Sequence, residues 1–131
     1  MHTPKNIATA LLLAIALCAG CTSNAYKTIE PQEFEQLIAS TDSLQLLEVR
    51  TPAEYAEGHL MGAMLIDIKS GEFAVQATEQ LHLNHPVAVY CRSGKRSAMA
   101  ADTLTALGFK VVNLNGGITA WQEQNLPTVS E

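Results

Sequence analysis

Beyond its first 25 residues the chain alternates short aliphatic runs with stretches whose apolar positions recur at helical spacing. Phe34, Leu37 and Ile38 form one such stripe, with Pro31 near the first turn, where a missing N–H does no harm; Glu30 is a poor cap for it. Residues 44–49 (LQLLEV) read as a buried strand. Thr51, Pro52 and Glu54 then spell a capping box, with Thr51 as cap and Glu54 reaching back, for a brief helix that stops near Gly58. A strand is expected over 63–68, a helix over 72–83, and a β-branched strand over 87–90, entered through Pro86. Residues 97–107 carry Ala100, Leu104 and Leu107 on one helical face, with Gly108 as the stop. A last strand over 110–114, a Gly116-Gly117 turn and a short helix over 118–124 bearing Trp121 complete the pattern. Strands alternating with helices predict an α/β domain built on a parallel sheet. No repeat, low-complexity block or internal linker interrupts it.

The N-terminus follows a different logic. Lys5 precedes an almost wholly aliphatic run, and residues 7–20 are shorter than the ~20 that a spanning helix needs. The run lacks the polar face of a buried amphipathic helix, so residues 1–20 are expected to be an export signal. Residues 17–21 (LCAGC) resemble a bacterial lipobox, whose cysteine, here Cys21, is lipidated; Cys18 departs from the usual Leu three places earlier. The alternative is a cut after Ala25, where Ser23-Asn24-Ala25 gives a small-x-small site and a leader of residues 1–25. Acylation would hold the chain on the periplasmic face of a bacterial membrane, whereas the second cut would free it into the periplasm. Thr22, rather than Asp, after the cysteine points to the outer membrane. Residues 21–27 then act as a tether and 28–129 as the domain.

Charge and cysteine content narrow the chemistry. Of eight Lys and Arg all but Lys5 lie beyond the leader, against thirteen Asp and Glu. An acidic body argues against nucleic acid, which wants a broad basic surface. Yet Arg92, Lys95 and Arg96 crowd into the five positions after Cys91, a local focus suited to a small anion. Either cut leaves Cys91 without an internal disulfide partner in an oxidising compartment, so it is either simply packed or used.

Residues 87–98 (VAVYCRSGKRSA) place that cysteine where a central strand ends and a helix begins, the usual ligand position in open α/β sheets. The N–H groups of residues 92–97 have no strand partner, and Gly94 permits a turn with positive φ, so they can curl into a nest of donors around the sulfur. Donors, helix dipole and cations favour the thiolate, the nucleophilic form.

Three segments, residues 46–68 (LLEVRTPAEYAEGHLMGAMLIDI), 90–109 (YCRSGKRSAMAADTLTALGF) and 111–127 (VVNLNGGITAWQEQNLP), together resemble the single-domain rhodaneses over nearly all of the chain beyond residue 28. The resemblance implies a rhodanese-like fold, a doubly wound central parallel sheet with helices on both faces, and sulfurtransferase activity. It implies that Cys91 takes sulfane sulfur from a small anionic donor such as thiosulfate and passes it, as a persulfide, to cyanide or a thiol. Arg92, Ser93, Gly94, Lys95, Arg96 and Ser97 would line the anion cradle. No metal, cofactor or nucleic-acid partner is expected, and a monomer is. Glu48 replaces the family's usual Asp before Val-Arg; Arg50 is expected to pair with Glu48 or Glu54 as scaffold. His59 is read as a structural turn residue, Trp121 as packing near the loop, and His82 and His85 as solvated.

Two rivals follow from the same residues. Phosphatases and arsenate reductases use H-C-x5-R, whereas Cys91 and Arg96 stand as C-x4-R behind Tyr90, a loop one residue shorter and better sized for sulfur. A sulfur carrier or interaction module on the same scaffold would keep the nucleophile without turnover.

Overall fold

The structure, a computed structural model, describes residues 26–130. The leader, Cys21 and both cleavage points lie outside the described residues. In chain order the elements are β1 (Lys27–Ile29), α1 (Pro31–Ser40), β2 (Gln45–Glu48), α2 (Pro52–Glu57), β3 (Met64–Leu65), a 3-10 turn (Ile68–Ser70), α3 (Phe73–Gln80), β4 (Val87–Tyr90), α4 (Lys95–Ala106), β5 (Val111–Leu114) and α5 (Gly117–Glu123). One sheet holds the strands in the order β1-β5-β4-β2-β3, every pair parallel.

Alternation along β4 explains the layering. Val87 and Val89 join Leu47, Val49 and Val111 in a core closed by Phe73 and Ala77 of α3 and Ala100, Ala101 and Leu104 of α4. Ala88 and Tyr90 point the opposite way, into a core shared with Phe34 of α1 and Ile118 and Trp121 of α5. All four β4 residues are buried, as a central parallel strand covered on both faces requires; each large apolar side chain so placed contributes roughly 1.5–3 kcal/mol. The molecule is thus a doubly wound α/β domain. The chain leaves β2 toward β3 at one edge and leaves β4 toward β5 on the other side. Their adjacent carboxyl ends therefore mark the switch point where such sheets bind ligands.

Several boundaries differ from the sequence reading. Lys27, assigned above to the tether, opens β1, which pairs Lys27 with Val112 and Ile29 with Leu114. The strand expected over 63–68 keeps only Met64 and Leu65. The Asp67 carboxylate accepts the Lys69 N–H, and Gly71 is left-handed, so the chain turns out of the sheet there. Helix α3 ends at Gln80 instead of reaching 83. Helix α4 starts two residues early, because Gly94 takes a left-handed φ of 98° at its cap.

Candidate active site

Cys91 leaves β4 with its backbone and its side chain held by different elements. Its carbonyl accepts the N–H of Ile118 at 2.9 Å, and that of Arg92 accepts the N–H of Thr119 at 3.1 Å. Gly117 makes this approach possible: a Cβ there would stand 2.5 Å from the Cys91 oxygen and closer still to that of Arg92. The side chain turns into the loop. Gly94 donates its N–H to Cys91 Sγ at 3.1 Å and Ser97 donates its hydroxyl at 3.3 Å. Left-handed Gly94 is what aims its amide at the sulfur while the chain enters α4.

The electrostatics oppose one another. Burial, with the residue only 1 % exposed, pushes the thiol up. The Ser97 hydroxyl and the N–H groups of Ser97, Gly94 and Ser93 pull it down, and the net direction is down. The amino end of α4 adds its positive dipole on the same side.

The loop cations divide into three situations. Arg96 is half-buried and forked onto Glu54 of α2, Nη1 to Oε1 at 2.7 Å and Nη2 to Oε2 at 2.8 Å. The Arg92 side chain is 63 % exposed, its Nε 3.7 Å from the same carboxylate. Lys95 is exposed and makes no ion pair among the described residues. Ser93 is exposed and Ser97 buried. Both terminal nitrogens of the Arg96 guanidinium are thus engaged by Glu54. Its fork, more than any other influence, holds the Glu54 carboxyl well below its ordinary value, at about 2.

A buried network lies beneath. Arg50 pairs through Nε with Glu48 and donates from Nη2 to the Gly58 carbonyl at 2.6 Å. Tyr90 donates to Glu48 Oε2 at 2.6 Å and accepts the Leu60 N–H at 3.0 Å. Of the two partners weighed for Arg50, the structure selects Glu48. A polar cleft of ≈ 230 Å³ opens between Arg50, Gly58, Arg92 and Gln122.

The remaining candidates sit apart from the sulfur. His59 is 3 % exposed, its Nδ1 2.9 Å from the Tyr55 carbonyl and its ring stacked on that of Tyr55; its backbone pairs with Val129. Trp121 meets Phe34 edge-on and donates Nε1–H to the Pro127 carbonyl at 2.9 Å. His82 and His85 are exposed. Among the described residues no three His, Cys, Asp or Glu side chains converge as a metal site would require. Sequence reasoning missed the Glu54–Arg96 fork, the Tyr90–Glu48 bond and the contact role of Gly117. The capping box and the Gly-Gly pair were visible, but their partners are remote in sequence.

Residues 30–124 match the family described as "Rhodanese-like domain". A protein named "Sulfurtransferase" from Allochromatium vinosum is 36% identical over 108 residues, covering 78% of this chain and 94% of its own. "Thiosulfate sulfurtransferase 18" of Arabidopsis thaliana is 34% identical over 99 residues, covering 66% of this chain and 73% of its own. Among solved structures, the rhodanese-related protein of Thermoplasma volcanium superposes with a TM-score of 0.67 at 29% identity, over 81% of this chain and all of that one.

Proposed function

The chain belongs to the rhodanese family, and from that premise we propose that it moves sulfane sulfur from a thiosulfate-like anion to a thiophilic acceptor through a persulfide on Cys91. The observation that carries this reading is the pair of donors, Gly94 N–H and Ser97 Oγ–H, directed at one buried sulfur at the carboxyl end of a central strand. These donors stabilise the thiolate. The thiolate attacks the outer sulfur of thiosulfate, a Cys91 S–S bond forms, and the donor's S–S bond breaks with its electron pair leaving on sulfite. The persulfide anion then occupies the position toward which the loop N–H groups point. Cyanide or a thiolate attacks the terminal sulfur and leaves with it, and the Cys91 thiolate returns. Exposed Lys95 and Arg92 meet the donor's oxyanion end, with Ser93 beside them, while Arg96, committed to Glu54, keeps the loop closed.

Turnover of thiosulfate with cyanide tests the reading, together with the intact mass of the chain before and after thiosulfate. The expected results are steady thiocyanate formation, its loss in Cys91→Ser, and a gain of one sulfur atom at Cys91. Stoichiometric loading without turnover would replace the enzyme by a sulfur carrier. Hydrolysis of a small aryl phosphate without sulfur loading would replace it by a phosphatase.

From the N-terminal sequence we propose separately that residues 1–20 export the domain and that acylated Cys21 anchors it to the membrane. Intact mass of the mature chain tests this: acyl groups on Cys21 support it, and a chain beginning at Tyr26 overturns the anchor in favour of a free periplasmic protein.

A further inference from the structure

We infer that Glu54 is the positioning residue of the Cys91 loop, gripping it near both ends from the neighbouring strand-to-helix connection and so keeping the donors on the sulfur. The inference rests on the proposed function only in taking Cys91 as the working sulfur. Three observations carry it. First, the loop's attachments are uneven. Cys91 and Arg92 are held through their carbonyls by α5. Across 93–97, among the described residues, the Arg96–Glu54 fork is the one hydrogen-bonded tie to another element. Arg96 lies immediately before Ser97 and two residues after Gly94, so fixing its guanidinium fixes the segment that supplies both donors.

Second, the same carboxylate reaches the other end of the loop, with Oε2 3.7 Å from Arg92 Nε. One acid on α2 thus faces cations on both sides of Gly94. Third, Glu54 is itself fixed. Helix α2 meets the core through half-buried Tyr55, whose hydroxyl donates to the Ala63 carbonyl at 2.8 Å. The carboxylate is then set locally: Glu54 Oε1 accepts the Thr51 N–H at 3.3 Å and hydroxyl at 3.1 Å, while the Glu54 N–H donates to Thr51 Oγ1 at 3.3 Å. The capping box, a local device for starting a helix, thereby becomes the anchor for a pair 42 residues away in sequence.

A purely electrostatic role and a positioning role have opposite signs. As a charge, Glu54 cancels Arg96 and disfavours the nearby thiolate, so its removal would lower the Cys91 pKa. As a brace, it keeps the donors in place, so its removal raises that pKa. Glu54→Gln separates the two, since Gln serves the capping box as Glu does but carries no charge for the fork. The experiment is the pH profile of Cys91 alkylation by iodoacetamide in the full chain, with urea midpoints confirming that each variant is folded. Glu54→Gln is expected to raise the apparent thiol pKa by at least about half a unit, slowing alkylation at pH 6 roughly threefold. Arg96→Gln is expected to do the same, and the double variant no more than either single one. Glu57→Gln, which removes a carboxylate from the same helix without touching the fork, is expected to leave the profile unchanged. An unchanged or lowered pKa in Glu54→Gln, additive single effects, or an equal shift in Glu57→Gln would each overturn the inference. Alkylation needs no sulfur donor. A chain that fails to turn over thiosulfate yet shows these shifts would sink the proposed reaction and leave the brace standing.

Discussion

The Tyr90 hydroxyl donates to Glu48 Oε2 at 2.6 Å, joining two wholly buried side chains on adjacent strands that are also register partners. The residue just before Cys91 is therefore tied to a carboxylate, and burial followed by that carboxylate pushes the Tyr90 phenol far above its ordinary value. Tyr90→Phe takes a donor from Glu48 and an acceptor from the Leu60 N–H. Leaving such groups unsatisfied costs about 1–3 kcal/mol. The urea midpoint is expected to fall accordingly with an unchanged slope; a loss below about 0.5 kcal/mol would show that water repairs the gap.

Gly117→Ala is expected to harm the loop from beneath. The position has a φ of 59° and no room for a Cβ against the Cys91 and Arg92 carbonyls. Left-handed strain alone costs of order 1–3 kcal/mol for a non-glycine residue, and relief of the clash must shift either α5 or the loop. A lower thermal midpoint together with slower Cys91 alkylation is expected; lost stability with an unaltered alkylation rate would mean that the loop does not follow α5.

Cys91 is expected to react with iodoacetamide at pH 6 faster than a free small-molecule thiol, because hydroxyl and amide donors outweigh burial in setting its thiolate fraction. Ser97→Ala removes the strongest of those donors. Its apparent thiol pKa should rise and its rate at pH 6 fall by about threefold to tenfold, one-half to one unit. Equal rates in the two proteins would mean that the backbone amides suffice.

Acid stability carries a signature of Glu54. The Arg96 fork holds its folded pKa at about 2, below an ordinary 4.5. A depressed carboxyl stabilises the folded state above the unfolded value, and that contribution disappears as pH falls from about 4.5 through 2. Urea midpoints measured across this window are expected to decline more steeply in the natural chain than in Glu54→Gln. Parallel curves would show that the pair gives no net stability, as many solvent-reached ion pairs do.

What the sequence revealed and what it hid divide along physical lines. The strands after residue 44 and the capping box were legible because period and cap chemistry are local. The three-residue β1 was not, since Lys27, Thr28 and Ile29 give too short a run for any period. The early end of β3 depends on Asp67 closing a turn on Lys69 N–H, an option that propensity alone does not rank. The loop announced itself through its cations and Gly94. Which cation is left exposed and which is engaged by Glu54 depends on how β2 and β4 sit side by side, and a one-dimensional pattern does not carry that distance.

Because the peptides of Cys91 and Arg92 rest against the first turn of α5 with no space for even a methyl group, the loop is closed on that side. Under the proposed reaction, selectivity for the donor falls to the exposed side chains at 92, 93 and 95.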